Sequence, residues 1–97
     1  MSYSVILPTL NEAGHIVLLT EKIISILKET NEKFEILIID DNSNDSTPEL
    51  SEKLEKEIEN VNFFSRVGLK RNLAESINLG IEKSKYDYII WLDADFQ

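Results

Sequence analysis

Cysteine is absent from the 97-residue chain, so neither a disulfide framework nor a cysteine-based zinc site is available to it. Histidine occurs once, at His15, and a lone histidine with no second ligand or base nearby in the sequence is assigned no catalytic or metal role. Basic residues are scarce. The 10 Lys and Arg stand against 18 Asp and Glu, a formal charge of −8, which argues against sequence-independent nucleic-acid binding because that requires cation clusters to displace counterions. No run approaches the roughly 18 apolar residues of a membrane span, and the start Met1-Ser2-Tyr3-Ser4 lacks the charged and apolar regions of a signal peptide, so a cytoplasmic protein is expected. The 3 glycines and 2 prolines are dispersed and mark no linker, repeat or low-complexity segment.

What is present reads as a single domain, with 42% hydrophobic residues to form a modest core. Val5-Ile6-Leu7, closed by Pro8, is a short apolar run expected as a buried strand. Ile16, Leu19, Ile23, Ile26 and Leu27 recur at helical spacing, predicting a helix to about Thr30 with Thr9 or Asn11 as N-cap and Glu12 in the first turn. Phe34 to Ile39 is the strongest strand, nearly all apolar as for a strand covered on both faces. Thr47-Pro48 opens a second helix carrying Leu50, Leu54 and Ile58 on one face, and its charged remainder reads as a solvated surface. Val61 to Phe64 is a weaker strand nearer an edge. A basic turn holding Arg66, Gly68, Lys70 and Arg71 follows, then a helix whose apolar face is Leu69, Leu73, Ile77 and Ile81, then a strand from Tyr88 to Leu92 in which Trp91 reads as core.

This alternation predicts an α/β fold, a Rossmann-like three-layer sandwich with a parallel sheet of about four strands in the order 3-2-1-4 and helices on both faces. Such sheets bind ligands at the carboxyl ends of their strands. The chemically rich loops all lie there: Pro8 to Glu12, Asp40 to Thr47, Arg66 to Arg71, and Asp93 to Gln97.

Three other readings of these loops fail. The spacing Asp41-x-Ser43-x-Asp45-x-Thr47 with Glu52 imitates a calcium-binding EF-hand, but the sixth position is Ser46 rather than glycine, Pro48 interrupts it, and a strand precedes it. A dinucleotide-binding fold needs Gly-x-Gly-x-x-Gly after the first strand, where this chain has Pro8-Thr9-Leu10-Asn11-Glu12-Ala13-Gly14. No Gly-x-x-x-x-Gly-Lys-Ser/Thr loop supports an ATPase. With no phosphate cradle, a divalent metal is the natural partner of a diphosphate. Asp93-Ala94-Asp95-Phe96-Gln97, with two carboxylates and an amide at alternate positions beyond an apolar strand, offers hard oxygen ligands for one.

Four segments together resemble the family-2 inverting glycosyltransferases of GT-A fold, especially the dolichol-phosphate mannose and polyprenyl-phosphate sugar synthases. They are Ser4 to Glu12, Ile38 to Thr47, Asn78-Leu79-Gly80-Ile81, and Leu92 to Gln97, in the family's order and spacing. The resemblance implies that Pro8, Leu10 and Glu12 line a nucleoside pocket and that Asp41, with Asp40 beside it, hydrogen-bonds the base or ribose. It implies that Lys70 or Arg71 neutralises the nucleotide and that Asp93 and Ala94 sit against it. Asp93, Asp95 and Gln97 would bind Mg2+ or Mn2+ bridging the diphosphate of a UDP- or GDP-sugar. Leu10 departs from the aromatic that relatives often carry.

The same resemblance places the acceptor site and the general base in a further C-terminal half, so residues 1–97 are expected to be the nucleotide-sugar-binding half, inactive alone, with no catalytic residue assigned. The expected acceptor of the full protein is a polyprenyl phosphate or a saccharide, and membrane association of the full-length protein is compatible with such an acceptor. The alternative from another class is a non-catalytic nucleotide or divalent-cation-binding module. An open apolar fourth strand is expected to join copies into a homo-oligomer.

Overall fold

The computed structural model describes residues 1–94. Its elements run β1 (Ser2–Thr9), α1 (Ile16–Glu29), β2 (Lys33–Asp40), α2 (Thr47–Glu57), β3 (Val61–Ser65), α3 (Leu73–Lys83) and β4 (Tyr88–Trp91). All strand pairings are parallel, and the order is β3-β2-β1-β4. The expected α/β architecture and strand order are therefore present. Among the described residues no helix is long and apolar enough to cross a membrane.

Side chains of neighbouring strand residues point to opposite faces, so β1 and β2 supply two separate cores. Val5 and Leu7 with Phe34, Ile36 and Ile38 pack against Ile16, Ile23 and Ile24 of α1 and Leu54 of α2. Ile6 with Leu37 and Ile39 packs on the other face, against Leu79 of α3 and Phe64. Each fully buried aliphatic side chain contributes roughly 1.5–3 kcal/mol relative to exposure, which is why the two central strands carry almost no polar side chain except at their ends.

Pro8 belongs to β1 rather than ending it, and pairs in register with Ile39. Ile6 accepts a hydrogen bond from the Leu92 amide, so the peptide groups of the even-numbered β1 residues face β4. The β4 ladder ends at Trp91 opposite Ile6, and the amide that Pro8 lacks thus points to a side where no strand needs it.

Helix α1 starts later than expected. Its N-cap is His15, and Glu12 lies in the preceding turn, its carbonyl accepting from the amides of His15 and Ile16. Asn11 adopts a left-handed backbone (φ 56°), which keeps the following residues out of the helix.

Helix α3 differs more. Leu69 is outside it, in the turn, while Asn72 caps it by accepting from the Glu75 amide. The fully buried residues of the helix are small, Ser76 and Gly80, with Leu79 packed beside them on the sheet, whereas Leu73 and Ile81 are exposed. Gly80 explains this inversion. A Cβ there would stand 2.6 Å from Cγ2 of Ile6 and 2.9 Å from its Cδ1 and Cγ1, so the helix sits close on β1 only because nothing projects from that position.

Trp91, expected in the core, is 49% exposed. It lies on an edge strand in which Tyr88, Ile89 and Ile90 are exposed too, as is Leu92 just beyond it, with Tyr88 stacking at a tilt on Tyr3, ring centroids 6.0 Å apart. The apolar alternation of β4 is that of an inner strand, yet among the described residues nothing pairs with its outer side.

Candidate nucleotide site

The loops that follow β1 and β2 are tied into one unit by side chains bonding backbone. The Asn11 amide donates to Ser43 Oγ at 2.9 Å, and Asn11 Oδ1 accepts the Asn44 amide at 2.8 Å. The Glu12 amide donates to Thr47 Oγ1 at 2.8 Å, and the Ala13 amide donates to Asp45 Oδ2 at 3.2 Å. Asp45 also accepts from the Thr47 amide and hydroxyl. Partial burial alone would raise its carboxyl, but the bonds from the Thr47 hydroxyl and amide and the Ala13 amide outweigh that and hold it below the ordinary carboxylate range. The polar run from Asn42 to Thr47 is thus a rigid turn with an α2 start rather than a calcium loop.

The adjacent acids at the end of β2 have different environments. Asp40 is buried, with its carboxylate occupied inside the loop: Oδ1 accepts from Thr9 Oγ1 at 2.9 Å and Ser43 Oγ at 2.5 Å, and Oδ2 accepts from the Ser43 amide at 2.9 Å. Asp41 is turned toward β3 and α3. Its Oδ1 receives a charged hydrogen bond from Arg66, and its Oδ2 accepts the Asn72 amide at 2.8 Å. Both acids are buried; Asp40 organises the loop, and Asp41 is the member of the pair that lines the concave surface next to it.

That surface is a cavity of about 210 Å³ lined by Pro8, Thr9, Leu10, Glu12, Asp41, Leu73 and Asp93. Loops after β1, β2 and β4 and the start of α3 meet there, at the carboxyl edge of the sheet. Of the residues named from sequence, Pro8, Leu10, Glu12, Asp41 and Asp93 come together in this cavity. Asp40 does not line it. Ala94 is buried beside Asp93 in the chain. Lys70 and Arg71 lie on the exposed β3–α3 loop and are not in the lining, although Arg71 anchors the rim by donating from Nε and Nη2 to the Asn42 carbonyl at 3.2 and 3.0 Å. Asn42, itself left-handed (φ 66°), holds the same loop through Leu69 and Gly68.

The expected metal ligands Asp95 and Gln97 lie outside the described residues. Among the described residues no three His, Cys, Asp or Glu side chains gather closely enough to hold a metal ion. Asp93 is exposed at the cavity, and a carboxylate there has the hard-oxygen chemistry that Mg2+ or Mn2+ prefers.

Sequence reasoning missed three contributors. Thr9 and Leu73 line the cavity, and Arg66, grouped with Lys70 and Arg71 as one basic turn, is buried. A signal for the α3 start was present: Asn72 followed three residues later by Glu75 is a helix-capping pattern, and reading it places Leu73 at the first turn, facing the site.

The comparisons with known proteins agree with this fold. Poly-beta-1,6-N-acetyl-D-glucosamine synthase of Staphylococcus aureus (strain COL) is 41% identical over 73 residues, 73% of this chain and 17% of that protein. GalNAc(5)-diNAcBac-PP-undecaprenol beta-1,3-glucosyltransferase of Campylobacter jejuni is 32% identical over 92 residues, 95% of this chain and 29% of that protein. The chain therefore spans less than a third of the length of these relatives. Among solved structures, S. aureus TarS 1-349 superposes with a TM-score of 0.72 at 27% identity, covering 98% of this chain and 28% of TarS 1-349. The same protein in complex with UDP-GlcNAc gives a TM-score of 0.70 at 27% identity, over 98% of this chain and 27% of that one. Residues 4–97 match the profile of glycosyl transferase family 2, and with that match covering nearly the whole chain, the chain belongs to this family.

Proposed function

We propose that residues 1–97 are the nucleotide-sugar-binding half of a glycosyltransferase domain and that the whole protein transfers a sugar from a UDP-sugar to a saccharide acceptor. The carrying observation is the convergence of Pro8, Leu10, Glu12, Asp41, Leu73 and Asp93 on one cavity at the carboxyl edge of the sheet. The UDP-GlcNAc and UDP complexes of TarS support UDP over GDP as the nucleotide. The relatives' names support a saccharide acceptor, carried on undecaprenyl diphosphate in one of them, over a bare polyprenyl phosphate.

In this reading the apolar side chains of Pro8, Leu10 and Leu73 cover the flat faces of base and ribose, while the Asp41 carboxylate accepts hydrogen bonds from their N–H or O–H groups. Lys70 and Arg71 stand on the neighbouring loop, where their charge offsets that of the diphosphate. Asp93, with Asp95 and Gln97, would hold Mg2+ or Mn2+, which would supply positive charge to offset that building on the leaving nucleotide.

Titrating UDP and GDP with and without Mn2+, followed by amide NMR, tests this. UDP is expected to shift resonances around Asp41 and Asp93 and to bind more tightly than GDP. Chelation of the metal is expected to weaken UDP about tenfold, and Asp41→Ala to do so by a similar factor, as fits loss of a hydrogen bond to a charged group. No shift at millimolar UDP sinks the donor-site reading. Metal dependence that survives Asp93→Asn removes the metal role.

We also propose that the 97-residue chain self-associates through the open β4 edge, supported by the exposure of Tyr88, Ile89, Ile90, Trp91 and Leu92. Sedimentation over a concentration series is expected to show reversible association that a lysine at Ile90 reduces. A concentration-independent monomer contradicts it.

A further inference from the structure

Arg66 is a cation only 5% exposed, and it does not line the nucleotide cavity. A buried guanidinium requires several acceptors, and it has them. One terminal nitrogen donates to Asp41 Oδ1 and the other to Glu75 Oε2 at 2.8 Å, while the Arg66 amide donates to the Asp40 carbonyl at 2.8 Å. The Asp41 carboxylate is thus gripped at both oxygens, by Arg66 and by the Asn72 amide. A carboxylate offers about four lone-pair sites, so roughly half remain for a ligand.

Glu75 sits in the first turn of α3, two residues beyond Leu73, which is in the cavity lining with Asp41. The planar fork of Arg66 therefore connects two walls of the cavity, the carboxylate at the end of β2 and the first turn of α3. Lysine, a point charge on a flexible stem, cannot hold both carboxylates in one fixed geometry.

We propose that Arg66 is a positioning residue for nucleotide binding: it fixes the Asp41 carboxylate in one orientation and sets the distance between Asp41 and Leu73, without touching the nucleotide itself. This rests on the nucleotide reading of the cavity. In the absence of Arg66, Asp41 keeps only the Asn72 amide, and the two acids it bridged have no cation between them.

The test is a double-mutant cycle on UDP affinity in the presence of Mn2+. Arg66→Met is expected to weaken UDP about tenfold, and Arg66→Lys to fall between Met and wild type. In an Asp41→Ala background, Arg66→Met should change UDP affinity less than about twofold, because the group it positions is gone. Equal weakening in both backgrounds marks Arg66 as merely structural and overturns the proposal, as does unchanged affinity of the single variant. Where Arg66→Met does not fold, Arg66→Lys is carried through the same cycle. The couplings that report Asp41 χ1 give a readout independent of ligand: one rotamer in wild type and averaging in the Arg66 variants. A wild type that ignores UDP but shows this change removes the nucleotide reading and leaves the positioning role. Retention of one Asp41 rotamer without Arg66 removes the positioning role.

Discussion

Gly80→Val is expected to destabilise the chain by roughly 3 kcal/mol, a large fraction of what a domain of this size possesses. A side chain at position 80 begins with a Cβ 2.6 Å from Ile6 Cγ2, well inside van der Waals contact, and valine adds two methyl groups beyond it. Ile6 cannot withdraw. It is fully buried in β1, with β2 on one side and β4 on the other, and packs with Leu37 and Ile39 under α3. Relief requires lifting α3 off the sheet, which opens the smaller core. Gly80→Ala separates this cause from helix propensity, because alanine in an unobstructed helix interior stabilises by about 1 kcal/mol relative to glycine. Urea denaturation is expected to show a lowered midpoint for both variants, and Ile6→Ala, which removes all three crowded carbons, is expected to cost less in the Gly80→Ala background than in wild type. A midpoint for Gly80→Ala at or above wild type contradicts the close-packing argument.

Glu35→Leu is expected to cost roughly 2–4 kcal/mol, from a buried hydroxyl and a part-buried amide left without their acceptor. Glu35 is 3% exposed at the amino end of β2 and accepts from Ser4 Oγ at 2.6 Å and from the Lys85 amide at 2.8 Å. Ser4 Oγ in turn accepts the Tyr86 amide at 3.2 Å. One carboxylate thereby joins β1, β2 and the segment between α3 and β4. Leucine matches the space and removes the acceptor, whereas Glu35→Gln keeps an acceptor oxygen and is expected to cost about 1 kcal/mol. Hydrogen exchange provides the local check: the amides of Lys85 and Tyr86 should lose protection in Glu35→Leu ahead of those in β2 and α1. Uniform loss across the sheet contradicts the assignment of Glu35 to anchoring the entry to β4.

The order of the sheet was legible because residues 34–39 of β2 are apolar except for Glu35 and each connection is long enough to hold the helix of a parallel crossover. The position of α3 was not. Leu69, Leu73, Ile77 and Ile81 form a stripe with helical spacing that satisfies the usual criterion for a buried face, yet Leu73 and Ile81 are exposed, and the fully buried positions of the helix are the small Ser76 and Gly80, with Leu79 packed beside them. Hydrophobic periodicity detects large residues and is blind to packing by closeness. Trp91 misleads for a related reason, since an edge strand with an inner strand's pattern cannot be distinguished without its neighbours.

At the site, the loops were legible and the division of labour within them was not. Asp40 and Asp41 are the same residue type in adjacent positions, and the alternation of a strand sends one into the loop's own hydrogen bonds and the other to the cavity. Arg66, Lys70 and Arg71 are alike as charges along the sequence. Only the approach of α3, carrying Glu75, distinguishes the buried one. Such differences depend on which elements become neighbours in space, and local composition does not encode that.

The pairing of the first strand with the last described one has a consequence for synthesis. Tyr3 to Ile6 leave the ribosome well before their partners on one side, Tyr88 to Trp91. The pair β1–β2 with α1, α2 and β3 can consolidate early, leaving one flank of β1 waiting. Asp93 arrives at the cavity only when that flank closes, so the site is completed after β1, β2 and β3 have been made. A nucleotide that contacts both Asp41 and Asp93 therefore favours the closed arrangement over its open precursor, by mass action on that step.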